Sequence, residues 1–191
     1  ALEDAARRFM TERWVPRAAE WRRAGRLGAE VWREAGAQGL LCAAVPEPYK
    51  SLLVHQNDMT PTREHFHNSR IHLELLGRDH RGSFYFREVI LRLDHDEKPV
   101  EFGANKVFLG RFPEAAQEQI LLEQVPLGRI LKECGVRHVT EAKHFLRIQP
   151  DELILKALEL ETPVTLYGRK AVISDPQGHP LSEIVEILPP G

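Results

Sequence analysis

The stretch FYFREVILRL, residues 84–93, decides how this chain is read. If it is extended, Tyr85, Arg87, Val89, Leu91 and Leu93 share one face, and Phe84, Phe86, Glu88, Ile90 and Arg92 the other, because side chains alternate along a strand. Arg87 therefore points the same way as four apolar or aromatic neighbours. A guanidinium does not lose its charge, and burying it unpaired is costly. It needs an acid of the protein, such as Glu101, Glu183 or Glu186, or else a ligand.

The same period extends to both sides. Residues 51–56 (SLLVHQ), 70–79 (RIHLELLGRD), 98–109 (KPVEFGANKVFL), 136–148, 163–173 and 181–188 all read as strands. LDHDEKP (93–99) and SDPQGHP (174–180) read as turns between them. Helices are expected at 112–124, 126–135 and 149–160, with Pro113 and Pro126 suited to first turns and Gly135 to a helix end. Hairpins with segregated helices predict an α+β domain built on an antiparallel sheet. No glycine-rich loop links a strand to a helix, which disfavours a nucleotide-binding α/β fold.

Residues 3–14, 18–25 and 28–41 are rich in Ala, Glu and Arg, with apolar residues three and four apart, and read as helices. Gly36 and Gly39 suit helix stops. Trp14, Trp21 and Trp32 fall at helical spacing and are expected to pack helices. VPEPYK (45–50) breaks the pattern with two prolines, so the division expected is a helical extension over 1–46 and a domain over 47–191.

The composition is that of an ordinary globular protein: 191 residues, 42% hydrophobic and 28% charged. A net charge of −2 and a pI near 6.6 provide no electrostatic case for nucleic acid or an anionic membrane as partner. The apolar runs are too short to span a bilayer. No charged-then-apolar leader opens the chain, so a cytoplasmic location is expected. Cys42 and Cys134 offer no metal-ligand spacing, and no metal site is expected.

Few positions can carry chemistry. Lys106 shares a strand face with Val100, Phe102, Ala104 and Phe108, a second cation on an apolar face that could equally snorkel to a sheet edge. If Pro126 opens a helix, the amides of Leu127 and Gly128 lie in its first turn without intrahelical partners, where anions bind. The last strand carries Glu183 and Glu186, and alternation does not choose between them. Two cations, a helix start and a carboxylate are the makings of a pocket for a small acid. His65 and His67 fall on one face if 64–67 is a strand, with no third ligand, and read as a solvated or turn feature. His138 and His144 read as structural.

Taken in order, these motifs resemble the chorismate pyruvate-lyase family over residues 52–190. LLVHQNDMT is similar to its opening segment, which places Met59; YFREVIL is similar to the strand bearing its anion-binding arginine, here Arg87. PLGRIL is similar to its Pro-Leu-Gly-Arg helix start, placing the ligand amide at Leu127, and the final hairpin puts its glutamate at Glu186, with Glu183 as the alternative. FGANK stands where the lyases have AGR, leaving Lys106 as the surviving cation. The resemblance implies a cofactor-independent cleavage of chorismate, or a close analogue, to 4-hydroxybenzoate and pyruvate. Glu186 would move the proton, Arg87 and the Leu127 amide would hold the ring carboxylate, and Lys106 would reach the second one.

The same stretch also resembles the UTRA ligand-binding domains of bacterial transcription regulators, which bind effectors and do no chemistry. The alternative function is therefore a non-catalytic protein that binds an aromatic or sugar acid. Residues 1–48 resemble the first helices of acyl-CoA dehydrogenases. The flavin-binding and catalytic parts of that family lie beyond such a segment, so no cofactor is carried over. The apolar residues of these helices are expected to cover the domain or to join subunits, which makes a homo-oligomer through them one expectation.

Overall fold

The computed structural model describes residues 8–24, 45–55 and 57–190. The chain divides into two compact units, Ala1–Pro46 and Glu47–Gly191.

In the first unit the described backbone is helical but irregular. A π-helical turn (Met10–Trp14) leads into a 3-10 turn (Val15–Arg17) and then α1 (Ala18–Ala24). Pro16 accounts for the break, because it offers no N–H to the turn before it and its ring crowds the carbonyl four residues back. Phe9 and Trp14 meet edge-on with ring centres 5.5 Å apart, and Trp14 meets Trp21 at 6.2 Å. The helix expected over 28–41, with Trp32, Gly36 and Gly39, lies outside the described residues.

The second unit is an α+β domain on a six-stranded antiparallel sheet. Its strands are β1 (Ile71–Arg81), β2 (Phe84–Leu93), β3 (Pro99–Phe108), β4 (Val139–Ile148), β5 (Leu166–Ser174) and β6 (Pro180–Leu188), in the order β1-β2-β3-β6-β5-β4. Two three-stranded meanders thus join where β3 pairs with β6. Its helices are α2 (Tyr49–Leu53), α3 (Met59–His67), α4 (Glu114–Leu122), α5 (Leu127–Glu133) and α6 (Glu152–Ala157).

Two segments read as strands are helices. Of residues 51–56, 51–53 belong to α2, where Tyr49, Leu52 and Leu53 are buried at helical spacing and Glu47 accepts from the Ser51 amide at 3.1 Å; residue 56 lies outside the described residues. Residues 64–67 end α3, which Asn68 closes in the left-handed conformation. His65 and His67 therefore do not share a strand face. In both cases the local alternation was too short to outweigh packing on the sheet.

The register sets the faces. Arg87 lies opposite Asn105, Asn105 opposite Ile184, and Ile184 opposite Ala171. One face therefore carries Tyr85, Arg87, Val89, Glu101, Gly103, Asn105, Ile184, Glu186, Arg169 and Ala171 in neighbouring positions. At one end α4 and α5 cover it: Tyr85, Val107, Ile120, Leu127, Ile130 and Ile173 belong to one apolar cluster. On the opposite face α6 packs through Ala157 and Leu158 against Ile90, Phe102 and Ile187.

β5 and β6 run too close at one point for any side chain but hydrogen. A Cβ on Gly168 would sit 2.3 Å from the Glu186 carbonyl oxygen. Gly168→Ala should therefore destabilise the domain by roughly 1–3 kcal/mol, as overpacking does. Gly110→Ala, where nothing lies within 4 Å of the added carbon, is the control. Urea unfolding of the two variants measures the difference.

Candidate functional site

A small cavity, about 40 Å³, lies between the Arg87 face of the sheet and the loops and helices above it. Met59, Arg87, Leu127, Gly128 and Glu186, all singled out in the sequence, line it. Glu101, Asn105, Thr140, Arg169 and Asp58 line it too.

Arg87 is 1% exposed, and its Nε and Nη1 have no hydrogen-bond partner among the described residues. It forms no ion pair with Glu101, Glu183 or Glu186. Burial lowers its pKa; Tyr85 and Glu123 oppose the shift. Asn105, its cross-strand neighbour, leaves Oδ1 buried and unpartnered.

Glu186 is occupied. Its Oε2 accepts from Arg169 Nε at 2.5 Å, and both side chains are buried. Burial raises the Glu186 carboxyl, against the opposing pull of Arg169. The other nitrogens of Arg169 reach back to the segment before α3, donating to the carbonyls of Leu53, His55 and Asn57 at 3.2–3.4 Å. Glu183 instead faces the other side of the sheet.

Lys106 is placed differently from the sequence reading, which put it in the same pocket as Arg87. Because Asn105 is the residue opposite Arg87, Lys106 points to the opposite face, 3.7 Å from Glu183 and between the rings of Phe84 and Phe108 at 4.7 and 4.9 Å. There it borders a broader cleft with Phe86, Lys170 and Glu183.

Two buried charges are not among the site residues expected from the sequence, where Glu101 enters only as an acid that could pair with Arg87. Glu101 is 4% exposed, with Oε2 unpartnered. Burial, and then the neighbouring Glu186, push its carboxyl well above the ordinary carboxylate range, Arg63 and Arg169 pulling it back only in part. Arg169 is fully buried. A signal existed: both residues fall on the alternate positions that the register aligns with Arg87. Without the strand order, alternation cannot say which face of β3 or β5 meets which face of β2.

The roof is held by Asp58, the residue before α3. It is a good N-cap type, yet it makes no cap bond. Its Oδ1 accepts from Thr140 Oγ1 at 2.6 Å, and its Oδ2 lies 2.9 Å from His138 Nε2. Gly128 fits beneath it, where a Cβ would stand 3.3 Å from Asp58 Cβ and 3.5 Å from Thr60 Oγ1. The first turn of α5 is thereby brought to the cavity wall. Among the described residues no group of three or more His, Cys, Asp or Glu could hold a metal, and no helix is long and apolar enough to cross a membrane.

The family model for the acyl-CoA dehydrogenase N-terminal domain matches residues 1–55. No curated protein matches the chain. Among solved structures, the chain is similar to the effector domain of PhnF from Mycobacterium smegmatis, with a TM-score of 0.55 and 12% identity over 71% of this chain and 90% of that one. Whole PhnF gives 0.54 at 12% identity, and this chain spans 64% of it. The possible transcriptional regulator YydK from Bacillus subtilis gives 0.51 at 8% identity, over 64% of this chain and 60% of that one. These likenesses establish the fold alone: the α+β architecture that the effector domain of PhnF also has.

Two measurements probe the buried charges. Arg169→Met strands Glu186 and should cost roughly 3–5 kcal/mol, whereas Arg78→Met, at a pair exposed on its arginine side, should cost under about 1 kcal/mol. Glu101 binds its proton more tightly folded than unfolded, so the native state loses stability as pH rises from the ordinary carboxylate value of 4.5 towards its raised folded value. Glu101→Gln should remove that loss. Urea midpoints of the parent should fall relative to the variant as pH rises through this window; parallel curves would contradict a neutral Glu101.

Proposed function

We propose that residues 47–191 form an effector-binding domain that holds a small organic anion against Arg87. The observation that carries this reading is a fully buried guanidinium with two nitrogens, Nε and Nη1, unpartnered among the described residues and facing a cavity. Such a group is costly unless a partner arrives, and a carboxylate suits its fork. Asn105 is its cross-strand neighbour, and Leu127 and Gly128, in the first turn of α5, line the same cavity. The UTRA-like fold, shared with the effector domain of PhnF, supports binding without chemistry.

The size of the cavity supports it as well. At about 40 Å³ it falls far below the roughly 300–1,000 Å³ of a ligand pocket. A ligand must part the walls, and the movable walls are the Asp58–Thr60 segment and the start of α5. Coupling occupancy to the displacement of surface elements is what a sensor requires.

A second reading is the chorismate-cleaving lyase. It is favoured by Met59, Arg87, Leu127 and Glu186 bordering one cavity. A carboxyl kept neutral at Glu101 beside Glu186 would supply an acid to the leaving enolpyruvyl oxygen. Against it, Glu186 is tied to Arg169, and Lys106 is absent from the cavity wall.

Calorimetry with 4-hydroxybenzoate tests the binding reading. Arg87→Lys should weaken binding by roughly 1.5–3 kcal/mol, because an ammonium cannot replace the planar fork. Unchanged affinity would remove Arg87 from the site. Incubation with chorismate separates the two readings: the effector domain should release no pyruvate, and turnover that Glu186→Gln abolishes would establish the lyase.

A further inference from the structure

A second cavity, of about 550 Å³, opens beside the opposite end of α3. Its apolar walls are Tyr49, Leu52, Phe66, Val100, Pro189 and Pro190. Its polar groups are Arg63, His67, Lys98 and Glu47. None of these four borders the cavity under Arg87.

One helix face builds the polar end. Arg63 and His67 are four residues apart on α3, and Phe66 is three from Arg63, so all three project together. The Arg63 guanidinium carbon lies 5.8 Å from the Phe66 ring centre, and the Phe66 ring meets His67 edge-on at 4.9 Å. Arg63 is 3% exposed. Its Nη2 donates to the Val100 carbonyl at 2.6 Å, but its Nε is buried without a partner. His67 Nε2 is likewise buried and unpartnered.

The charges do not balance within the cavity. Glu47 is its lining carboxylate, and Oε2 of that residue already accepts from the Ser51 amide and hydroxyl at 3.1 and 2.7 Å. The carboxyl of Glu101, near Arg63, is pushed well above the ordinary carboxylate range by burial and by Glu186. Among the described residues neither Arg63 nor Lys98 forms an ion pair. Burial, followed by the charges of Arg63 and Lys98, holds His67 down at about 4, so the imidazole is neutral and can offer its Nε2–H as a donor. Asp96 opposes this shift, and His95 adds to it slightly.

We propose that this cavity is a second anion site taking a monocarboxylate with an aromatic body. The carboxylate is received by Arg63 Nε and His67 Nε2, and the ring lies among Tyr49, Phe66 and the two prolines. The two idle donors sit on side chains four residues apart on one helix face, so both can turn to a carboxylate lying between them. The volume falls within the range of small-molecule pockets, and the apolar walls distinguish an aryl acid from a bare inorganic anion.

The test uses the full chain, labelled with ¹⁵N, and phenylacetate as probe. The Arg63 Nε–Hε cross-peak, assigned by its disappearance in Arg63→Lys, should shift and saturate. His67→Phe keeps the bulk and removes the donor, and should weaken binding about tenfold, the loss of one charged hydrogen bond. Arg87→Lys should leave the midpoint unchanged. Absence of saturation by about 10 mM would overturn the site. So would a midpoint that Arg87→Lys shifts and His67→Phe does not, which would place the acid under Arg87 and leave the effector-domain reading standing. Inorganic phosphate shifting the same peak at equal or lower concentration would overturn the aromatic class of ligand.

Discussion

The domain depends on the buried pair between Arg169 and Glu186. The two residues stand opposite each other on β5 and β6, and both side chains are buried. A guanidinium offers five N–H groups, and one carboxylate cannot take them all. The surplus goes to the carbonyls of Leu53, His55 and Asn57. A single side chain thus ties the centre of the sheet to the end of α2 and the approach to α3. That approach carries Asp58 and Met59, so the roof of the cavity is positioned from below by Arg169 and from the side by Thr140 and His138.

The arrangement leaves charge unevenly distributed. Arg169 pairs with Glu186, burial and Glu186 raise the Glu101 carboxyl well above the ordinary carboxylate range, and Arg87 has no counter-ion among the described residues. On the far side of Glu101, Arg63 is in the same position, with burial lowering its pKa to about 10. Neither arginine can become neutral at physiological pH. Keeping two such groups buried is costly, and an anion placed at either one would offset that cost. Because Arg63 acts on Glu101, and Glu101 lies beside Glu186, the two cavities are electrostatic neighbours through one carboxyl.

The boundary between the units sharpens one comparison. The dehydrogenase-like match runs to residue 55, yet the second unit begins at Glu47. Leu52 and Leu53 are buried, and the Leu53 and His55 carbonyls are taken by Arg169. The last nine residues of that match are therefore structural parts of the α+β domain, whatever their sequence resembles.

Much was legible from residue order alone. The six long strands, their turns, the helices behind Pro113 and Pro126, and the isolation of Arg87 on an apolar face all follow from alternation, proline geometry and the cost of burying charge. Those are local properties, written within about ten residues. Alternation failed where the segment was short, at 51–53 and 64–67, and packing on the sheet chose helix. What tertiary structure decided was partnership. Lys106 and Asn105 are adjacent in sequence, and only the pairing of β2 with β3 determines which of them stands beside Arg87. Likewise Glu186, rather than Glu183, joins that face, and Arg169 reaches it, because β6 inserts between β3 and β5. Period two assigns residues to faces, but the identity of the neighbouring face is a property of strand order and register, which no single strand encodes.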